Sequence, residues 1–226
     1  MSWVLTLEEI MRRIFFVVIF LMVAGCNTVG QTSPFFEPGF QLEGRSAAAL
    51  SAEWWKWAMS DPTDTNPVGD TTGVHCGNGQ QGNVWFLAGG FGSSKIKRNC
   101  VIPAGKYIFF PMINAAYWPK ENSSYTCEQA KSAATVTNEN ALNLFVELDG
   151  VAMADPKRYR ARTDECFNVF ERVPSTFHSY NAYPSASDGY WVLLQPLQKG
   201  MHIIKFGGQY GNGDMVQDIE YEIFVQ

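Results

Sequence analysis

The sequence predicts a mainly β fold: a single antiparallel β-sandwich domain, jelly-roll-like, with about two short helices. Three observations predict it. Short apolar runs rich in aromatic and β-branched residues recur between Gly, Pro and Asp punctuation, as strands between turns do. Asp149-Gly150 stands between two such runs in LFVELDGVAM, a two-residue hairpin signal. Near the C-terminus Ile219, Tyr221, Ile223 and Val225 alternate with Asp218, Glu220 and Glu222, the pattern of a half-buried strand.

The N-terminal segment bears on location rather than fold. From Met11 the chain reads MRRIFFVVIFLMVAGC, two arginines followed by an apolar run over residues 14–24. The run is shorter than the ~20 residues of a membrane-spanning helix and ends in small residues, so a secretory signal is expected over residues 1–25. Glu8 and Glu9 precede the basic pair, which places the expected translation start at Met11. Val23, Ala24, Gly25 and Cys26 resemble the lipobox of bacterial lipoproteins. That resemblance implies that Cys26 is acylated and becomes the mature N-terminus. With Asn27 rather than aspartate after it, it also implies an outer-membrane anchor, the domain facing the periplasm or the cell surface.

Residues 26–45 are rich in Gly, Pro and polar side chains and read as a tether, with Phe35, Phe36 and Phe40 able to dock on the domain that fills residues 46–226. The first helix is expected over 47–59, ended by the Asp61-Pro62 step, because a residue before proline avoids the helical region. It carries SAEWWKWAMSDP, with three tryptophans in four positions. At 100° per residue Leu50, Trp54, Trp57 and Ala58 share one arc, which makes Trp54 and Trp57 core residues and Trp55 the exposed one. Strands are expected over 83–88 and 106–113. Gly89, Gly90 and Gly92 read as a glycine-rich turn after a strand rather than a phosphate loop, because the SSKIKR that follows does not open like a buried helix. A second helix opens over 126–136 with a capping box at Thr126 and Gln129. The 144–153 hairpin follows, then strands over 190–195 and 201–206 around the turn PLQKG, and GGQYGNGD reads as a loop between two strands.

The five cysteines fit an exported chain. Lipidation accounts for Cys26, and Cys76, Cys100, Cys127 and Cys166 are left for two disulfides in an oxidising compartment. Of the three pairings, Cys76 with Cys100 and Cys127 with Cys166 is the expected one, since each closes a moderate loop. The spacing of cysteine and histidine does not suit zinc. A formal charge of −5 argues against nucleic acid and gives no electrostatic reason to bind anionic lipid, so membrane contact is expected through the N-terminal lipid alone.

The segments WWKWA from Trp54, NPVGDTTGVHC over 66–76, VWFLAG from Val84, CVIPAGK over 100–106 and FFPMIN over 109–114 form a set. With DGYWV from Asp188, His202 and FGG from Phe206, that set resembles a family of uncharacterised exported bacterial proteins. The resemblance implies a secreted β-rich domain and brings no activity with it.

The sequence contains no G-x-S-x-G elbow, no HExxH, no Walker loop and no dinucleotide fingerprint. Three polar or aromatic groupings remain. Asp61, Asp64, Asn66 and Asp70 follow the tryptophan helix on one loop and could offer oxygens to calcium, the one cofactor considered. Glu53, Asp70 and His75 are the acid and base candidates, with Asp61 and Asp64 as further acids. His75 beside Cys76 and His202 on a distant strand read more simply as hydrogen-bonded structural histidines. Flat rings on loops stack on sugars, and Trp55, Tyr117, Trp118, Tyr180, Tyr183 and Tyr190 are the ligand-binding candidates. The expectation is a lipid-anchored envelope protein that binds a polysaccharide or an envelope protein without catalysis. A glycan-acting envelope hydrolase is the alternative.

Overall fold

The computed structural model describes residues 33–135, 139–177, 179–210 and 213–226. The signal segment, Cys26 and Asn27 lie outside the described residues. Pro34–Gln226 form one compact unit, mainly β, in which two open mixed sheets pack as a sandwich.

The elements in chain order are α1 Ala47–Ala58, β1 Val84–Phe86, β2 Ser94–Ile102, β3 Tyr107–Tyr117 and α2 Cys127–Thr135. After these come β4 Leu142–Leu148, β5 Val151–Ala152, a 3-10 turn Pro156–Tyr159, β6 Arg160–Arg162, β7 Ala186–Leu194, β8 Gly200–Tyr210 and β9 Met215–Val225. One sheet has the order β1-β3-β7-β6, the other β2-β9-β8-β4-β5. Most pairs are antiparallel as expected, but β1 runs parallel to β3 and β2 parallel to β9.

The helix ends follow local chemistry. Ser46 caps α1 by accepting the Ala49 N–H at 3.2 Å. At α2 the capping box is closed both ways, Thr126 N to Gln129 Oε1 at 2.8 Å and Gln129 N to Thr126 Oγ1 at 3.2 Å. The Asp149-Gly150 turn has φ of 50° and 83°, the double left-handed pair that suits the twist of a two-residue hairpin.

The core has two layers. Ile108, Phe110, Val192, Leu194, Phe206, Tyr221 and their neighbours fill the space between the sheets. Trp54 and Trp57 of α1 press on Phe86, Phe109, Trp191 and Leu193, the other face of the four-stranded sheet. Strand β7 is therefore buried at every position. A strand covered on both faces reads as a continuous apolar run.

One long strand has no counterpart in the sequence reading. After the glycine turn, the chain from Ser94 is edge strand β2, with Arg98, Cys100 and Ile102 buried while Lys95 and Lys97 face water. Arg98 at an inward position hides the alternation. Part of the tether is docked, as its phenylalanines allow: Phe35 is buried and pairs with Leu194, and Leu42 pairs with Arg45.

Both disulfides join the expected partners, Cys76–Cys100 and Cys127–Cys166. The first ties the 66–80 loop to β2, beside a close approach at Gly73. A Cβ there would sit 2.1 Å from the Asn99 carbonyl oxygen at a φ of +92°, so only glycine fits. The second ties the start of α2 to the loop after β6. The two bridges mark an extracytoplasmic protein. Among the described residues no helix is long and apolar enough to cross a membrane.

Candidate functional site

The tryptophan helix divides its rings between core and cleft. Trp54 and Trp57 are 2% and 1% exposed, and their indole N–H groups donate to the carbonyls of Leu87 at 2.9 Å and Asn78 at 2.8 Å. Each removes ~200 Å² from water, about 5 kcal/mol of gross transfer energy. These two are scaffold. Trp55 points the other way, half-buried rather than exposed, and begins a run of rings: Trp55 to Trp118 at 6.2 Å, Trp118 to Phe170 at 6.0 Å and Phe170 to Tyr180 at 5.2 Å.

This run backs a cleft of about 230 Å³ between the end of α1 and residues 170–177, 179 and 180. Its walls are Met59, Pro62, Phe170, Val173, Phe177 and Tyr180, and its polar groups are Ser60, Asp61 and Ser179. Phe177 is 45% exposed. The Tyr180 hydroxyl donates to the Pro119 carbonyl at 2.9 Å, which fixes the ring. Asp61 Oδ2 and Trp55 Nε1 are shielded from solvent and make no hydrogen bond among the described residues. A shielded carboxylate oxygen without a donor is costly, so the exposed part of Asp61 is the part a ligand in the cleft would meet. The volume is under the ~300–1,000 Å³ usual for ligand pockets, which suits one small ring.

The other aromatic candidates are dispersed. Tyr183 is exposed on the loop after Tyr180. Tyr117 packs on the alanines of α2 and on Tyr125, whose hydroxyl bond, with burial, raises the Tyr117 hydroxyl above its ordinary range. Tyr190 is a correction: it faces the inter-sheet core, 6% exposed, and burial raises its hydroxyl pKa. It offers no ligand surface.

The acid and base candidates have structural partners. Glu53 is paired with Arg45 at 3.2 Å, and Arg45 also reaches Asn83 at 2.9 Å. Asp70 organises its loop. Burial alone would raise its carboxyl, but the main-chain N–H groups of His75, Thr72 and Gly73 and the Thr72 hydroxyl outweigh that and hold it at about 2. His75 supplies a main-chain N–H to Asp70 at 2.9 Å. His202 is held between Asp149 at 2.7 Å and the Gln198 carbonyl at 2.9 Å.

Asp61, Asp64 and Asp70 are not drawn together as calcium ligands. Among the described residues no three acidic, histidine or cysteine side chains converge as a metal site. Asn66 instead bonds the Ala58 and Asp61 carbonyls and receives the Val68 N–H, a loop role.

Two charged features were missed from sequence. Arg98 is fully buried on β2. Asp188, fully buried on β7, is gripped at both oxygens by Arg160, at 3.0 and 2.8 Å, and by Arg162 at 3.1 Å. The bond to Asp188 raises the Arg160 pKa against the opposing effect of burial. Arg162 of this cluster, with Glu139 and Ser187, lines a wider polar concavity of about 840 Å³ between α2 and β6. An Arg-x-Arg on one strand face and an acid inside an apolar run are the signals that point to the pair.

Comparison with family models, curated proteins and solved structures finds no match.

Proposed function

We propose that this protein is a non-catalytic binding module, lipid-anchored through Cys26 at the outer membrane of the cell envelope, whose aromatic cleft takes a sugar ring of a polysaccharide. The observation that carries the reading is the cleft lining: Phe170, Phe177 and Tyr180 with a single carboxylate, Asp61, at its wall. Aromatic faces stack on the apolar face of a pyranose, while Asp61, Ser60 and Ser179 are placed for its hydroxyls.

The same lining weighs against the hydrolase alternative. Glycoside cleavage uses two carboxyl groups about 5–9 Å apart. The cleft supplies one, and Glu53 and Asp70 are committed to Arg45 and to the loop N–H groups.

Affinity electrophoresis of the exported protein against a panel of envelope and plant polysaccharides tests the reading. Retardation by at least one polysaccharide is expected, weakened at least ten-fold by Phe177→Ala and by Asp61→Asn with unchanged melting temperature. Retardation unaffected by both variants would remove the cleft from the account.

A further inference from the structure

The outward face of the five-stranded sheet carries a row of large apolar side chains. Val101 of β2 faces Phe224 of β9, which faces Met201 of β8. They are 49%, 44% and 63% exposed. Ile203 follows Met201 on the same face, and Val74, 76% exposed, overhangs the row from the disulfide-tied loop and helps enclose a groove of about 430 Å³. The next row holds Asn99 and Glu222 beside Ile203, Glu222 lining the groove and pairing with Lys97 at 2.6 Å, and beyond it the face is charged: Lys97, Glu220, Lys205 and Glu147 are successive cross-strand neighbours, with ion pairs at 3.0 and 3.5 Å. Contiguous exposed apolar surface is uncommon on a monomer and marks a contact.

The position of the row says what it contacts. Strands β2 and β9 end beside it and β8 begins there. Strand β7 ends at the same end of the sandwich, since only residues 195–199 separate it from β8. Pro34 accepts the Gln195 N–H at 2.9 Å, so the chain enters the compact unit at this apolar end. Cys26 stands eight residues before Pro34, a reach of at most about 28 Å. A lipid on Cys26 therefore keeps the bilayer close to the end that exposes the row.

The geometry points to a membrane-contact patch: Val101, Met201 and Phe224, with Val74 and Ile203, rest on the lipid interface and orient the anchored domain. The inference rests on the lipid-anchored reading of Cys26. Apolar side chains at the interface add to an acyl chain as a second membrane signal.

Hydroxyl-radical footprinting of the full acylated protein in phosphatidylethanolamine/phosphatidylglycerol vesicles, with the exported Cys26→Ser protein in lipid-free buffer as reference, tests it. Met201 and Phe224 are expected to oxidise at least three-fold more slowly in vesicles, while Met215 and Leu142, at the opposite end of the sheet, keep their rates. Equal oxidation of Met201 in the two states, with Cys26 acylated, overturns the patch and leaves the anchor standing. Absence of an acyl chain on Cys26 overturns both. Protection already present in the lipid-free protein and lost on dilution assigns the row to a second copy of the chain and overturns membrane contact.

Discussion

The Arg98 guanidinium lies 5.4 Å from the centre of the Tyr221 ring and donates to the Tyr221 hydroxyl at 3.1 Å, sealed from solvent between β2 and β9. Its remaining donors reach the carbonyls of Asp70 at 2.6 Å, Ala88 at 2.8 Å and Val68 at 3.1 Å. One buried cation thus fastens the loop carrying Val68 and Asp70, and the end of the β1 segment, to the second sheet. Arg98→Met removes these bonds and leaves buried carbonyls unpaired. The variant is expected to lose about 3 kcal/mol in urea unfolding, with binding to polysaccharide intact if it stays folded.

Asp70 gives an acid-sensitive contribution. Its folded pKa, about 2, is below the ordinary 3.8, so the unfolded chain takes up the proton first as pH falls. The stabilisation is complete above about pH 4 and is lost as pH falls toward 2. Discounted for solvent around the loop, it amounts to about 1 kcal/mol. Asp70→Asn should lower stability at pH 7 by that amount and flatten the pH 2–4 limb of the unfolding free energy, read by denaturant titration at several pH values.

The disulfides act on the unfolded chain. Cys127–Cys166 closes a separation of 39 residues and Cys76–Cys100 one of 24. Loop-closure entropy makes the first worth about 4 kcal/mol and the second slightly less. Cys127→Ser with Cys166→Ser should therefore lower the unfolding free energy at least as much as Cys76→Ser with Cys100→Ser. Mass mapping without reduction should recover both bridges.

Much of the fold was legible because local signals and burial agree. Ile219 to Val225 alternate since β9 has one face in the core, Asp149-Gly150 can take two positive φ values, and Leu50, Trp54 and Trp57 fall on one arc. Strand β2 was not legible because Arg98, the least apolar of residues, occupies an inward position. The parallel pairing of β1 with β3 and of β2 with β9 depends on long connections that periodicity does not encode. The candidate site was legible in part. Trp55, Trp118 and Tyr180 do meet through Phe170, yet the cleft itself is built by Met59, Phe177 and Asp61 from segments over a hundred residues apart, a convergence that spacing does not show. Tyr190 misled because an aromatic residue on a buried strand and one on a loop look alike in sequence.

The central claim is that the Asp61 and Phe177 cleft holds a sugar ring without cleaving it. The most direct measurement incubates the exported protein with the polysaccharide panel and follows bound polymer and newly released reducing ends in the same samples. The account predicts retention of at least one polysaccharide, lost in Phe177→Ala, with reducing ends at the protein-free level. Reducing ends that accumulate with time and disappear in Asp61→Asn would contradict it and make the cleft a catalytic one.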